Sequence, residues 1–487
     1  MVRVVNMGRP ASSALFHSRA GQFVREAGFG LPAWNGSVSA PSLWHAVPAD
    51  GGTGARQRLA GRPLAADLLP DTAVVGHGGH VSVGGVDLLD LVAEVGTPVF
   101  VFDEVHLRRR CRQARDGFGP GTAYAAKAFL CRAMARLVHE EGLAIDVSTG
   151  GELTVALRAG VPADRLVLHG NNKSEAELTE ALRAGVGRIV VDSFDEIERL
   201  EQLVPAFLRE HRPSVLLRVN PGVAPDTHAY VSTGQTDSKF GFSIPSGAAA
   251  EALGRLRRPG SPVHLVGVHT HIGSQVMELS ALRAAIDAVA GLVAPFDLEE
   301  LCIGGGLGVA YVSGEAAPSI AEWAELVRAA CRAAGLPGTL GVTAEPGRAI
   351  AATAGMTLYR IGTIKELSGI RRYVSVDGGM SDNVRPALYG SRYEAFLPRA
   401  GDAVRPLTAT IVGKHCESGD VIVRDARLPA DVEVGDVVAT PVTGAYGYAM
   451  ASNYNKVPRP PVVFVSGGDY QVVVRRETYD DVLRLDA

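Results

Sequence analysis

Tyr124-Ala-Ala-Lys127-Ala-Phe129 is an apolar run of strand type with a single lysine set inside it. A buried ammonium is costly unless paired, and desolvation lowers the amine pKa, so a lysine placed this way suits nucleophilic attack on an aldehyde. The competing reading is a lysine that snorkels from a strand end. The sequence on either side of the run decides between the two.

From Thr97 onward, short β-branched runs alternate with segments of helical period, which argues for a parallel α/β architecture. The runs fall at 122–127, 144–148, 166–169, 189–192, 215–220, 265–271, 301–304 and 342–345, with amphipathic stretches such as 175–184 and 194–203 between them. This pattern predicts a TIM-type (β/α)8 barrel, in which chemistry gathers where strands end and loops begin. After Pro346 the pattern changes to strands at 374–376, 407–412, 420–423 and 437–441 separated by turns, the mark of a mostly antiparallel β domain. Residues 73–89, with turns at Gly76-His-Gly-Gly79 and Gly84-Gly85, read as hairpin strands expected to join that later domain. The predicted organisation is an extension over 1–70, disordered or loosely packed, leading strands over 71–100, the barrel over 101–347 and the β domain over 348–487.

A chain of 487 residues is too long for one ordinary core, in keeping with two domains. Hydrophobic residues make up 46% and charged residues 21%, and the formal charge is −4, which disfavours a nucleic-acid or anionic-membrane partner. No apolar stretch is long enough to span a bilayer. The five cysteines, at 111, 131, 302, 331 and 416, form neither a CxxC pair nor a disulfide framework, so a reducing cytoplasm is expected. Residues 1–70 are rich in Ala, Gly, Ser, Arg and Pro, with Glu26 the only acid before Asp50. Three readings stay open for them: a transit peptide, a disordered extension, or an upstream start with Met7 as the alternative.

The predicted strand ends carry the chemistry. The first delivers Lys127, the seventh ends in Gly304-Gly305-Gly306-Leu307-Gly308, and the eighth ends in Glu345-Pro346-Gly347-Arg348. Barrel phosphate sites are commonly built from the loops after strands seven and eight, and missing side chains let backbone N–H groups approach an anion. A lysine, a phosphate cradle and an acid at one mouth point to pyridoxal phosphate, with the acid on the pyridine nitrogen. Alternation turns His269 and His271 to one side of their strand. A zinc site is the rival there, but the sequence offers no matching third ligand, and no metal is expected.

Six motifs then carry a resemblance: Tyr124-Ala-Ala-Lys127, Asp146-Val-Ser-Thr-Gly-Gly-Glu152, His169-Gly-Asn-Asn-Lys173, His269-Thr-His-Ile-Gly-Ser-Gln275, Glu345-Pro-Gly-Arg348 and Cys416-Glu-Ser-Gly-Asp420. In that order they resemble the fold type III pyridoxal-phosphate-dependent decarboxylases, nearest the branch that acts on diaminopimelate. The resemblance runs from Asp71 to the C-terminus. It implies that Lys127 is the Schiff-base lysine, that His271 stacks on the cofactor ring and that Glu345 pairs with the pyridine nitrogen. Ser274, Gly304, Gly305, Gly306, Gly347, Arg348 and Tyr446 match the phosphate-binding set. Arg348, Arg385, Tyr389, Glu417 and Tyr446 match the substrate-binding positions. Cys416 matches a proton donor that reaches the site from the partner subunit of a homodimer.

The chemistry agrees with these implied roles. Decarboxylation leaves an electron pair at Cα, which a protonated pyridinium accepts, and Glu345 would keep that proton in place. Racemases of the same broad fold tend to place arginine there, so Glu345 favours a decarboxylase. Reprotonation needs an acid near Cα, and a thiol with a pKa of about 8.5 can donate at neutral pH. A diamino diacid needs a cation for its distal carboxylate, and a charge-assisted contact from Arg385 typically contributes roughly 1.5–3 kcal/mol, whereas ornithine or lysine as substrate has no distal carboxylate to meet it. The expected reaction is decarboxylation of meso-2,6-diaminopimelate to L-lysine. The alternatives are a related decarboxylase of secondary metabolism and a silent relative that keeps the fold to bind another protein. Asp146 and Glu152 either border the lysine or cap the following helix, Tyr446 or Tyr448 is a packing aromatic, and His228 and Lys239 lie in a long loop that could close over the site.

Overall fold

The computed structural model describes residues 65–207, 212–223, 238–278 and 280–487. Most of the 1–70 extension, His228 and residues 232–237 of the 232–242 loop lie outside the described residues. The last few residues of the predicted extension are packed: Ala66–Leu68 is a short 3-10 turn, and Leu68 is fully buried in the main core.

All eight predicted barrel strands are present, at Ala123–Ala125, Ala144–Val147, Leu166–Leu168, Arg188–Val191, Ser214–Asn220, His264–Thr270, Glu300–Cys302 and Gly341–Thr343. They are hydrogen-bonded in chain order and run parallel. The ring closes through Ala123 N–H to Ala344 O (3.0 Å) and Ala125 N–H to Pro346 O (3.3 Å). The helices between them start where the sequence satisfies the free N–H groups of a first turn, as in the capping boxes of Ser174 with Glu177 and Ser319 with Glu322.

The barrel interior is a core of its own. Ala123, Ala144, Val167, Val190, Leu216, Val266 and Cys302, one from each of the first seven strands, form a buried cluster separate from the strand–helix core. Two residues further along several of these strands stand Ala125, Asp146, His169 and Arg218, which line a cleft with His269 and Glu345. The period of two that puts small apolar residues in the plug therefore puts polar groups directly above it.

The second domain is an eight-stranded, mostly antiparallel sheet. Its order is Val421–Leu428, Leu407–Val412, Arg371–Val376, Gly355–Leu367, Val99–Asp103, Val462–Ser466 and Asp469–Val474, with Val437–Pro441 also paired to Gly355–Leu367. Gly355–Leu367, at 13 residues the longest strand, and the pair at 462–474 are absent from the sequence reading, where Thr, Lys, Arg and Gln interrupt the apolar pattern. Val99–Asp103 inserts beside Gly355–Leu367, so the chain visits this sheet before it builds the barrel. Residues 74–87 form a separate three-stranded sheet whose Val81, Val83 and Val86 pack on the larger one.

Candidate active site

The cleft at the C-terminal end of the barrel strands has a volume of about 940 Å³. Lys127, His271, Ser274, Gly305, Gly306, Glu345, Gly347, Arg348, Arg385, Tyr389 and Tyr446 all line it. Gly304 does not; it makes the turn that starts the cradle. Cys416 and Glu417 are exposed and do not line the cleft of their own chain.

Lys127 differs from its sequence reading. The strand ends at Ala125, and Lys127 sits in the 3-10 turn Ala126–Ala128 with its side chain exposed to the cleft instead of buried within the strand. Its neighbours Ala126 and Ala128 are buried, so the backbone is fixed while the amine projects from the mouth.

Glu345 is the anchor of the polar layer. His169 Nε2 and His269 Nε2 each lie 2.9 Å from a different oxygen of its carboxylate, and Cys302 Sγ donates to the first of these oxygens at 3.4 Å. Burial pushes the Glu345 carboxyl up, but the two imidazoles outweigh it and hold the group well below the ordinary carboxylate range. An ionised carboxylate only accepts, so both imidazoles present N–H through Nε2. Burial also lowers the pKa of His169, yet Asp146, 3.6 Å away, and Glu345 raise it overall. His269 is pushed down to about 4 by burial, and Asp146 is pushed up to about 6 by burial. His169, His269 and Glu345 also form a set of three ligand-type groups within 4.8 Å of one another, the third ligand that the sequence did not reveal. In this arrangement each imidazole spends its Nε2 on the carboxylate, which leaves no lone pair there for a metal.

His271 lies just past its strand. Gly305 N–H donates to its Nδ1 at 3.1 Å, so the ring proton belongs on Nε2. Burial and the charge of Lys127 hold this histidine well below its ordinary pKa, which makes the ring a neutral, flat surface beside the lysine.

The glycine run is required by close approach. A Cβ at Gly305 would stand 2.4 Å from Glu345 O, and one at Gly306, where φ is +108°, would stand 2.3 Å from Gly273 O. Arg348 Nη2 donates to Ser274 Oγ at 2.8 Å, and its guanidinium lies 4.8 Å from the Tyr446 ring centre. Bare backbone, a hydroxyl and a guanidinium thus converge at one end of the cleft, with the carboxylate and the lysine beyond them. Asp146 Oδ1, buried and without a hydrogen-bond partner, adds a polar atom on the cleft wall. This set fits pyridoxal phosphate.

Arg385 is buried and has no carboxylate partner among the described residues. Its guanidinium donates to Tyr393 OH and lies 4.6 Å from the centre of the Tyr311 ring. Tyr311, Tyr393, His169, Cys302 and Arg218 are site residues that sequence reasoning missed. For Arg218 a signal existed, an arginine inside the apolar run Val215-Leu-Leu-Arg-Val219. Of the pair left open, Asp146 faces the cleft, whereas Glu152 accepts the Ser148 N–H at 2.6 Å at the start of the helix Gly150–Arg158. Tyr446 lines the cleft and Tyr448 packs edge-on against Phe100 and Phe129.

The turn that carries Cys416 and Glu417 is tightly held although it is exposed. The Asp420 carboxylate accepts Met380 N–H (2.6 Å) and His415 N–H (2.8 Å), and Asn455 Oδ1 accepts Cys416 N–H (3.2 Å). The buried His415 ring joins Asn455 to Ser381. Ser381 opens the segment that carries Arg385.

Comparison with known proteins agrees with this geometry. Residues 104–352 match the family of pyridoxal-dependent decarboxylases, pyridoxal binding domain. Diaminopimelate decarboxylase of Mycobacterium tuberculosis is 46% identical over 445 residues, which cover 87% of this chain and 98% of the relative. The Bacillus subtilis enzyme of that name is 43% identical over 422 residues, 84% of this chain and 95% of the relative. Among solved structures, diaminopimelate decarboxylase from M. jannaschii in complex with L-lysine superposes with a TM-score of 0.78 at 33% identity, covering 86% of this chain and 98% of that one. With a family model that matches half of the chain and relatives more than 40% identical over nearly their whole length, the chain belongs to the pyridoxal-dependent decarboxylases, in the diaminopimelate decarboxylase family.

Proposed function

We propose that this protein decarboxylates meso-2,6-diaminopimelate to L-lysine and CO2, the last step of lysine formation, with pyridoxal phosphate as cofactor. The observation that carries the substrate assignment is Arg385: a buried guanidinium on the cleft wall that no carboxylate among the described residues neutralises. Such a group strongly favours a ligand that brings its own carboxylate. The relatives named above support the same reading.

When bound, the cofactor supplies an electron-accepting ring for the carbanion left by loss of CO2. Lys127 would hold it covalently, and Ser274, the backbone of Gly305 and Gly306, Arg348 and Tyr446 would bind its phosphate. Glu345, kept ionised by two imidazole N–H donors, would hold a proton on the pyridine nitrogen. His271, neutral and fixed by Gly305, would cover one face of the ring. Arg385 with Tyr389 would grip the distal carboxylate of the substrate.

The return of a proton to Cα needs a donor, and among the described residues no cysteine of the same chain lines the cleft. Cys416, exposed on a held turn, supports a homodimer in which the thiol and Glu417 enter the cleft of the partner subunit. Among the described residues no helix is long and apolar enough to cross a membrane. Five free cysteines are in keeping with a place in the cytoplasm.

The test is a parallel assay of the purified protein with pyridoxal phosphate and diaminopimelate, ornithine, arginine or lysine. Turnover of diaminopimelate alone is expected. Turnover of ornithine without diaminopimelate would refute the assignment.

A further inference from the structure

Two guanidinium groups of the cleft share one phenol. Arg348 Nη1 donates to Tyr311 OH, and Arg385 lies over the face of the same ring at 4.6 Å, whereas Arg348 stands farther from that face at 5.8 Å. The ring is buried and meets Tyr393 edge to face, with centroids 5.3 Å apart, and Tyr393 OH accepts from Arg385 in turn. The backbone of Tyr311 is pinned from below, because the Glu315 carboxylate accepts its N–H at 2.8 Å. The residue sits on the loop that follows the glycine cradle.

We infer that Tyr311 is a positioning residue that sets selectivity for the substrate's distal carboxylate, by holding Arg385 on its π-face while its hydroxyl holds Arg348. A desolvated guanidinium with no carboxylate beside it needs an electron-rich partner that does not neutralise it. The ring face supplies this and leaves the charge free for an incoming anion. A carboxylate in place of Tyr311 would satisfy Arg385 and abolish its grip on substrate. The hydroxyl of the same side chain meanwhile holds Arg348, the arginine matched to both the phosphate-binding and the substrate-binding positions. This inference rests on the reading of Arg385 as the distal-carboxylate anchor.

The experiment compares wild type, Tyr311→Phe and Tyr311→Leu as holoenzymes, with L-lysine and cadaverine as competitive inhibitors. L-Lysine keeps the carboxylate that Arg385 would grip, and cadaverine has none. Tyr311→Leu is expected to weaken L-lysine by about tenfold, leave cadaverine within about twofold, and raise KM for diaminopimelate in parallel with kcat little changed. Tyr311→Phe, which keeps the face, is expected to restore L-lysine inhibition, while titration of its apoenzyme by visible absorbance reads weaker uptake of pyridoxal phosphate through Arg348. Equal loss for L-lysine in Phe and Leu, unchanged L-lysine inhibition in Leu, or equal loss of lysine and cadaverine in Leu would each overturn the inference. Wild type that binds L-lysine no better than cadaverine would instead remove the reading of Arg385 itself. A fold check by thermal unfolding accompanies each variant.

Discussion

The barrel mouth and the turn around Cys416 are both ordered, but they are finished to different degrees within one chain. At the mouth, Glu345 has three donors, His271 has its tautomer fixed, and Arg348 has its hydroxyl partners. At the turn the backbone is held just as closely, by Asp420 and Asn455, yet Cys416 and Glu417 face solvent. The contrast fits the proposed homodimer, in which one chain would make the cofactor and carboxylate ends of the site and present the proton-transfer end to its partner.

Breaking the finished half should have the largest effect. Lys127→Ala is expected to reduce kcat by roughly 10³-fold or more, and the purified variant should lack the visible absorbance of covalently held cofactor. Retained absorbance at the wild-type wavelength would move the anchor to another residue. Breaking the presented half comes next: Cys416→Ala should lower kcat by about 10²–10⁴-fold, the range of a lost general acid, with cofactor absorbance intact. Unchanged turnover would remove the thiol from the account. Arg385→Met sharpens the boundary between the halves. It should raise KM for diaminopimelate about 10- to 150-fold, the equivalent of ~1.5–3 kcal/mol, and leave cofactor uptake unchanged.

The smallest effect concerns the segment that joins the two regions. Burial pushes Asp382 up to about 7, against 3.8 for an ordinary aspartate, although it accepts the Gly379 N–H at 3.0 Å. A carboxyl whose pKa is raised in the folded state binds more protons there than in the unfolded chain. Its contribution to stability is fully present below the unfolded pKa and is lost as pH rises through about 7. Asp382→Asn should therefore raise Tm by about 2 °C or more at pH 8 and by much less at pH 5, measured by thermal unfolding. A difference that grows toward acid pH would contradict this.

Much of the barrel was legible because its signal is repeated. Eight apolar runs with helices between them leave little room for another fold, and the period of two that fills the plug with Ala123, Ala144 and Val167 also points Asp146 and His169 to the mouth. Lys127 was legible as chemistry and misread as environment. Its run looked like one continuous strand, whereas the strand stops at Ala125 and the turn after it exposes the amine. Tyr311 and Tyr393 left no trace, since their meaning lies in two arginines 37 and 8 residues away that only the fold brings to them. The strand Gly355–Leu367 was hidden because its second half is exposed and polar, so half its length carries no apolar alternation. The position of Cys416 outside its own cleft follows from tertiary packing and has no local signature.

Whether the two regions act together across subunits is decided by mixing. Lys127→Ala and Cys416→Ala chains, each inactive alone, are dissociated, combined and reassociated, and diaminopimelate decarboxylation is measured against wild type treated in the same way. Mixed dimers would pair the intact cleft of one chain with the intact turn of the other. Random pairing then predicts recovery of about a quarter of wild-type activity. No recovery despite confirmed mixed dimers would show that each chain completes its own site, and would contradict the account.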